Sequence, residues 1–225
     1  MSLKLAVFDV DGTLVDSRGP ILQALIEGAS AVGLAAPSYE EARHIVGLSL
    51  VEALQHLRPE ADAALIDAYA HEYKQAFLRF HADPDFREIL YPGAEATLLR
   101  LKAEGWLIGM ATGKSRRGVN RVLDVFGWRD LFDATYCGDD GPSKPHPFMV
   151  TENMRVLGVD AAQTLMIGDA SFDMRMAREA RAYAIGVSWG FHTVEELDAA
   201  GAHQIVHDFN ELDVALNAFE ARAVA

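Results

Sequence analysis

The segment Lys4–Phe8 (KLAVF) reads as a β-strand, yet the strands it must join begin only after Gly93, beyond roughly 75 residues of helix-forming sequence. A chain so arranged builds one sheet-based domain and interrupts it with a helical insert whose two connections lie side by side. The opening segment is apolar, mixes β-branched and aromatic residues, and stops at Asp9-Val10-Asp11-Gly12-Thr13. That is a buried strand opening into a turn. In the insert, Ile21, Leu22, Leu25, Ile26, Ala29 and Val32 recur at helical spacing, with Gly33 as the stop. Ser38 with Glu41 and Ser49 with Glu52 match the S-x-x-E capping box, so two short helices are predicted to begin there. A longer helix is predicted from about Glu60 to His81. Its aromatic stripe, Tyr69, Tyr73, Phe77 and Phe80, is explained by core packing rather than by a ligand.

After Gly93 helix and strand signals alternate. Helices are predicted at Ala94–Glu104, Ser115–Phe126, Phe148–Leu157 and near Phe172–Arg181. Strands are predicted at Trp106–Ala111, Ala134–Cys137, Thr164–Ile167, Ala184–Val187 and near Gln204–Val206. Such alternation means a parallel sheet covered on both faces. The chain of 225 residues is long enough for one such domain plus an insertion. It needs no disulfide to hold a core, and with Cys137 as its only cysteine it cannot form one internally.

Thirty-three acidic against 20 basic residues give a formal charge of −13, which repels phosphate backbones and anionic membranes. Nucleic acid and membrane are therefore not expected partners. No apolar run is long enough to span a bilayer and no signal-peptide pattern opens the chain, so a cytoplasmic setting is expected. An anionic ligand would require locally gathered positive charge.

Polar clusters fall just past the predicted strand ends, where open parallel sheets place ligand contacts. They are Asp9, Asp11 and Thr13; Thr112-Gly113-Lys114; Ser143-Lys144-Pro145; and Gly168-Asp169 with Asp173. Any one of these aspartates alone is explained as a cap or turn residue. Four converging carboxylates repel one another by about 4 kcal/mol per pair at ~4 Å and an effective dielectric near 20, so a cation is needed. Hard oxygens beside lysines, with no Cys or His pair at zinc spacing, suit Mg²⁺ shared with a phosphate. An EF-hand is excluded because its sixth and twelfth positions counted from Asp9 are Leu14 and Pro20. A P-loop is excluded because only three residues separate Gly109 from Gly113.

DVDGTLVDS at 9–17, ATGK at 111–114, SKPHP at 143–147 and GDASFDM at 168–174 resemble, in order and spacing, the four motifs of the haloacid dehalogenase superfamily. The insert resembles the helical cap of its phosphoglycolate phosphatase-like subgroup. The resemblance implies an α/β fold with a Rossmann-like parallel sheet, helices on both faces and an inserted all-α cap domain. The core would comprise residues 1–15 and 91–225 and the cap residues 16–90. It implies Asp9 as nucleophile and Asp11 as general acid and base. Thr112, Gly113 and Lys144 would bind the transferring phosphoryl group. Mg²⁺ would be held by Asp9, the Asp11 backbone carbonyl and Asp169, with Asp173 supporting. Because phosphotransferring members carry the second aspartate, Asp11 speaks against a dehalogenase.

The expected activity is Mg²⁺-dependent hydrolysis of a small phosphorylated metabolite through an aspartyl-phosphate, with phosphoglycolate the first candidate. Pyrophosphate, nucleotide and sugar-phosphate hydrolysis, and a non-catalytic metal-dependent binding module, are the alternatives. Substrate choice is expected to lie in the cap loop Val46-Gly47-Leu48-Ser49-Leu50, which has no base, with Arg43, His44 or Arg58 available to meet a carboxylate. Asp139-Asp140-Gly141 reads as a solvated turn, His146 as a loop residue, and Arg116 and Arg117 as helix-surface arginines near the phosphate position. Trp189-Gly190-Phe191-His192 suits strand-end packing and site contact equally.

Overall fold

The structure is a computed structural model that describes residues 3–223. In chain order, β1 (Leu5–Phe8) and β2 (Val15–Asp16) precede the insert helices α1 (Arg18–Ala31), α2 (Tyr39–Arg43), α3 (Leu50–Leu57) and α4 (Ala63–Ala82). The chain returns through β3 (Ile89–Leu90) to α5 (Ala94–Ala103), β4 (Leu107–Thr112), α6 (Arg116–Val125), β5 (Ala134–Cys137) and α7 (Phe148–Leu157). Then follow β6 (Thr164–Gly168), α8 (Ser171–Glu179), β7 (Tyr183–Val187), α9 (Val194–Ala199), β8 (Gln204–Val206) and α10 (Phe209–Ala223).

Six strands form one parallel sheet in the order β5-β4-β1-β6-β7-β8. The first strand thus lies centrally, and chain order reverses beside it. Open α/β sheets bind ligands at such a reversal, outside the carboxyl ends of the strands. Period-two alternation divides the side chains between two layers. Ala6 and Phe8 join Ile108, Met110, Leu165, Ile167, Ile185 and Val187 on one face, packed with residues of α5, α6 and α10. Leu5 and Val7 join Met166 and Ala184 on the other, with residues of α7, α8 and α9. The fold is the expected α/β sheet covered on both faces with an inserted all-α cap.

The insert has its own apolar cluster. Ile21, Leu25 and Ala29 of α1 meet Leu54 and Leu57 of α3 and Ile66, Tyr69 and Ala70 of α4. The Tyr69 hydroxyl donates to the Leu25 carbonyl at 2.8 Å, satisfying its one polar atom inside that cluster. The connections to the core pair antiparallel as β2 and β3.

Several local expectations need adjustment. The Ser38 box forms completely: Glu41 N–H donates to Ser38 Oγ at 3.2 Å and Ser38 N–H to Glu41 Oε2 at 2.8 Å. At Ser49 the helix begins, but the hydroxyl donates to the Glu52 carboxylate and the Ser49 N–H donates to Ser143 Oγ at 2.8 Å. That cap is replaced by a contact with the core. Helices α9 and α10 were not anticipated, although Thr193 with Glu196 and Asp208 with Glu211 carry the N-terminal signals that form in the structure. The aromatic stripe divides. Tyr69 is core, whereas Tyr73 and Phe77 also line the cavity between cap and sheet.

Candidate active site

The carboxyl ends of β1 and β6 bring Asp9 and Asp169 together, and the first turn of α8 adds Asp173. One oxygen from each lies within 4.8 Å of the others, and all three residues are buried. Backbone pairing sets the position of Asp9, whose N–H donates to the Ile167 carbonyl at 2.9 Å and so extends the β1–β6 ladder. Asp173 reaches back to accept from Ala170 N–H at 3.1 Å, the carboxylate half of a capping box.

Lys144, also fully buried, places its ammonium 2.8 Å from Asp9 Oδ1 and 2.7 Å from Asp173 Oδ1. Its peptide bond to Pro145 is cis. Burial disfavours the Lys144 charge, but the Asp173 and Asp9 carboxylates outweigh it and hold the pKa above the ordinary lysine value. Asp9 and Asp169 are pushed up from the usual carboxylate range by burial, Asp9 against the pull of Lys144 and Asp169 with added repulsion from Asp9 and Asp173.

Three carboxylates around one ammonium leave two negative charges uncompensated. Asp9 Oδ2 is buried and has no hydrogen-bond partner. Hard oxygen donors and a two-charge deficit fit a divalent cation such as Mg²⁺.

Asp169 is the most heavily oriented of the three. Thr13 Oγ1 donates to its Oδ1 at 2.9 Å, and Phe191 N–H donates to its Oδ2 at 2.8 Å. Gly12, at φ 85°, and Gly190 both press against this carboxylate, so a Cβ at either would overlap it. The Trp189–His192 loop therefore wraps the site: Trp189 Nε1–H donates to the Thr13 carbonyl at 3.0 Å and His192 N–H to the Asp169 carbonyl at 3.3 Å. Of the two readings the sequence leaves open for Trp189–His192, the structure adds contact with the site to packing at the strand end. The glycine between two aromatics just after a strand was the available signal.

Asp11 stands apart from the carboxylate cluster. Its Oδ1 lies 2.8 Å from Lys114 Nζ, and both residues face the cavity. Burial disfavours the Lys114 charge, but the Asp11 carboxylate prevails and raises its pKa. Thr112 ends β4 nearly inaccessible, its Oγ1 accepting from Lys114 N–H at 3.3 Å. At Gly113 a Cβ would overlap the Leu48 carbonyl of the cap loop, so glycine here permits the cap to seat on the core.

Cap and core enclose a cavity of about 910 Å³. Asp9, Asp11, Thr112 and Gly113 form its floor, the 45–51 loop one wall, and Tyr73, Phe77 and His81 another. Three of the bases considered for substrate charge are engaged elsewhere. Arg43 binds Glu40 and Glu196 at 2.7 and 2.8 Å, Arg58 donates to the Leu57 and Ala35 carbonyls, and His44 lies 3.1 Å from Glu40. Arg116 is held by Thr135 and Asp140, and its N–H donates to Asp139. Asp139 and Asp140 thus tie the start of α6 to its neighbouring turn. His146 is a loop residue whose Nδ1 accepts from Phe148 N–H at 3.2 Å.

No helix among the described residues is long and apolar enough to cross a membrane. The model of the family described as haloacid dehalogenase-like hydrolase matches residues 6–187. A protein named "Probable phosphatase IndB" from Dickeya dadantii is 35% identical over 210 residues, 92% of this chain and 91% of that protein. Phosphoglycolate phosphatase of Vibrio cholerae is 30% identical over 223 residues, covering 94% of this chain and 96% of the relative. The crystal structure of "a predicted phosphatase" from Clostridium acetobutylicum superposes with a TM-score of 0.84 at 27% identity, covering 96% of this chain and 99% of that one. A parallel sheet reversing beside its first strand, buried aspartates at that reversal, and matches of this length establish that the chain belongs to the haloacid dehalogenase-like hydrolases and is a phosphatase of that family.

Proposed function

We propose that this phosphatase hydrolyses a small phosphomonoester in two displacements at Asp9. The observation that carries the reading is the Asp9 carboxylate itself: one oxygen is fixed by Lys144 at 2.8 Å and the other is buried without a hydrogen-bond partner. A free, positioned oxygen facing a cavity is suited to in-line attack on phosphorus, forming an aspartyl-phosphate as the ester oxygen leaves. Asp11, at the cavity edge, gives up its ion pair when it takes a proton from solvent, donates that proton to the leaving oxygen and later takes one from the attacking water. Its ion pair with Lys114 keeps that carboxyl turned toward the cavity.

Thr112, the Gly113 backbone and Lys144 bind the transferring oxygens, offsetting the repulsion between a carboxylate and a phosphate. Asp9, Asp169, Asp173 and the Asp11 backbone carbonyl are proposed to hold Mg²⁺. When bound, the ion supplies charge neutralisation to the phosphoryl oxygens and to the cluster. Residues 16–90 serve as a cap over a core made of residues 1–15 and 91–225, limiting bulk water while the ester is cleaved. The names of relatives support phosphoglycolate as the first substrate to try.

The test is a phosphate-release panel of phosphoglycolate, pyrophosphate, nucleotide monophosphates and sugar phosphates with added Mg²⁺, run on the natural chain and on Asp9→Asn. The variant is expected to lose on the order of a thousandfold or more in turnover while keeping its fold. Retention of most activity in Asp9→Asn would refute the nucleophile assignment.

A further inference from the structure

The cavity carries positive charge that the two displacements leave unused. Arg117 and Arg121 lie one turn apart on α6 and both line it. Among the described residues, neither is within ion-pair distance of a carboxylate, whereas Arg43, Arg58 and Arg116 are all engaged. Facing α6 across the cavity are His81, near the end of α4, and Glu88, just before β3. Arg121 Nε, His81 Nε2 and Glu88 Oε2 are buried and make no hydrogen bond. His81 Nε2 approaches Glu88 Oε1 only to 3.8 Å. These groups share one electrostatic neighbourhood. Burial, then the charges of Arg121, Lys114 and Arg117, push the His81 pKa down to about 4, so its ring is neutral at pH 7.

Unsatisfied buried donors are costly, and in a chain of net charge −13 two guanidiniums without carboxylate partners are conspicuous. Lys114 is neutralised by Asp11, and Glu88 offsets one guanidinium, so one net positive charge remains together with the donors of two planar forks. The cap loop Val46–Leu50 contributes no base. On the α6 wall of the cavity the positive charge therefore comes from that core helix, while Lys74 of α4 is a cation that the insert itself brings to the lining.

Resting on the phosphatase reading, we propose that Arg117 and Arg121 form a subsite for a second anionic group, a carboxylate or a second phosphate, on the organic part of the phosphomonoester. Tyr73 and Phe77 supply the apolar wall along which the carbon skeleton between the two anions lies. Glu88 limits the excess charge, so that inorganic anions are not held in the absence of substrate.

The experiment compares kcat and KM for esters whose leaving groups differ in charge. Phosphoglycolate and 2-phosphoglycerate present a carboxylate, fructose 1,6-bisphosphate a second phosphate, and glycerol 3-phosphate and p-nitrophenyl phosphate neither. Arg121→Met and Arg117→Met are expected to lower kcat/KM about tenfold or more for the preferred anionic ester, mainly through KM, and under about threefold for the neutral ones. The larger loss on carboxylate or on bisphosphate esters identifies the anion. Glu88→Gln is expected to lower KM for anionic esters.

Equal losses on charged and neutral esters, or a natural enzyme that prefers glycerol 3-phosphate and loses it on Glu88→Gln, would overturn the subsite. Hydrolysis of p-nitrophenyl phosphate that vanishes in Asp9→Asn reports the phosphatase reading separately. Should no ester turn over, calorimetry of phosphoglycolate and of fructose 1,6-bisphosphate with Asp9→Asn, alone and with Arg121→Met, still decides. Unchanged affinity for both would overturn the proposal.

Discussion

The sheet and the helical insert meet at the same cavity but bring different things to it. The sheet side contributes fixed charge: Asp9, Asp169, Asp173 and Lys144 are buried and locked by ladder, cap and ion-pair contacts. The insert contributes shape: Tyr73, Phe77 and the carbonyl-lined 46–50 loop, packed on an apolar cluster of its own. Chemistry that must tolerate like charges at short range sits at the ends of the buried strands, and the insert supplies apolar surface to the same cavity.

Four perturbations sharpen that contrast, beginning with the sheet side. Lys144→Met should abolish turnover and also destabilise the metal-free protein by about 3–5 kcal/mol, because Asp9 and Asp173 lose the ammonium they share. Thermal melting checks this, and an unchanged midpoint would mean that the carboxylates are compensated in some other way.

Metal removal should act next most strongly. Folded Asp9 and Asp169 hold protons to higher pH than they do in the unfolded chain. Their contribution to stability is therefore fully present below the ordinary carboxylate range and is lost as pH rises through the raised values. Added Mg²⁺, which binds the ionised carboxylates, should raise the melting midpoint more at about pH 8 than at about pH 5, and EDTA should silence turnover reversibly. A Mg²⁺ effect larger at acid pH would contradict the charge assignment.

On the insert side, Leu54→Ala removes a fully buried side chain from the helical cluster and should cost about 2–5 kcal/mol. Activity should fall chiefly through KM, since no charged group at the sheet moves. A matching collapse of kcat would show that the insert also positions the reacting groups. The smallest effect is expected from Arg43→Ala, which breaks a partly exposed link from α2 to Glu196 of the core and should shift the melting midpoint by no more than about 2 °C.

The same division decided what was legible beforehand. Asp9, Thr112 and Asp169 stand where apolar β-segments end in polar clusters, and burial on both faces of the sheet makes such ends visible as unbroken apolar runs that stop abruptly, whereas Lys144 is marked by its polar loop cluster. Asp173 was visible one helical turn beyond Asp169. The supports of Asp169 are legible as positions, Thr13 in the first polar cluster and Trp189–His192 at a strand end, but their role is not, because a Thr13 hydroxyl, a Phe191 amide and two crowded glycines act through geometry rather than residue type. Arg43, His44 and Arg58, which the sequence offers outside the base-free cap loop to meet a carboxylate, are committed to insert carboxylates, backbone carbonyls and Glu196. A helix-surface arginine and a cavity arginine look alike in sequence, and only the structure separates Arg117 and Arg121, which line the cavity, from Arg116, held by Thr135 and Asp140. Tyr73 and Phe77 likewise satisfy helical spacing while serving the cavity.

The account stands on transfer of phosphorus to Asp9 before water receives it. Hydrolysis of a phosphomonoester made chiral at phosphorus with oxygen isotopes, in water bearing a third isotope, reads that directly. Two in-line displacements require retention of configuration in the released phosphate, and inversion would mean that water attacks the ester itself.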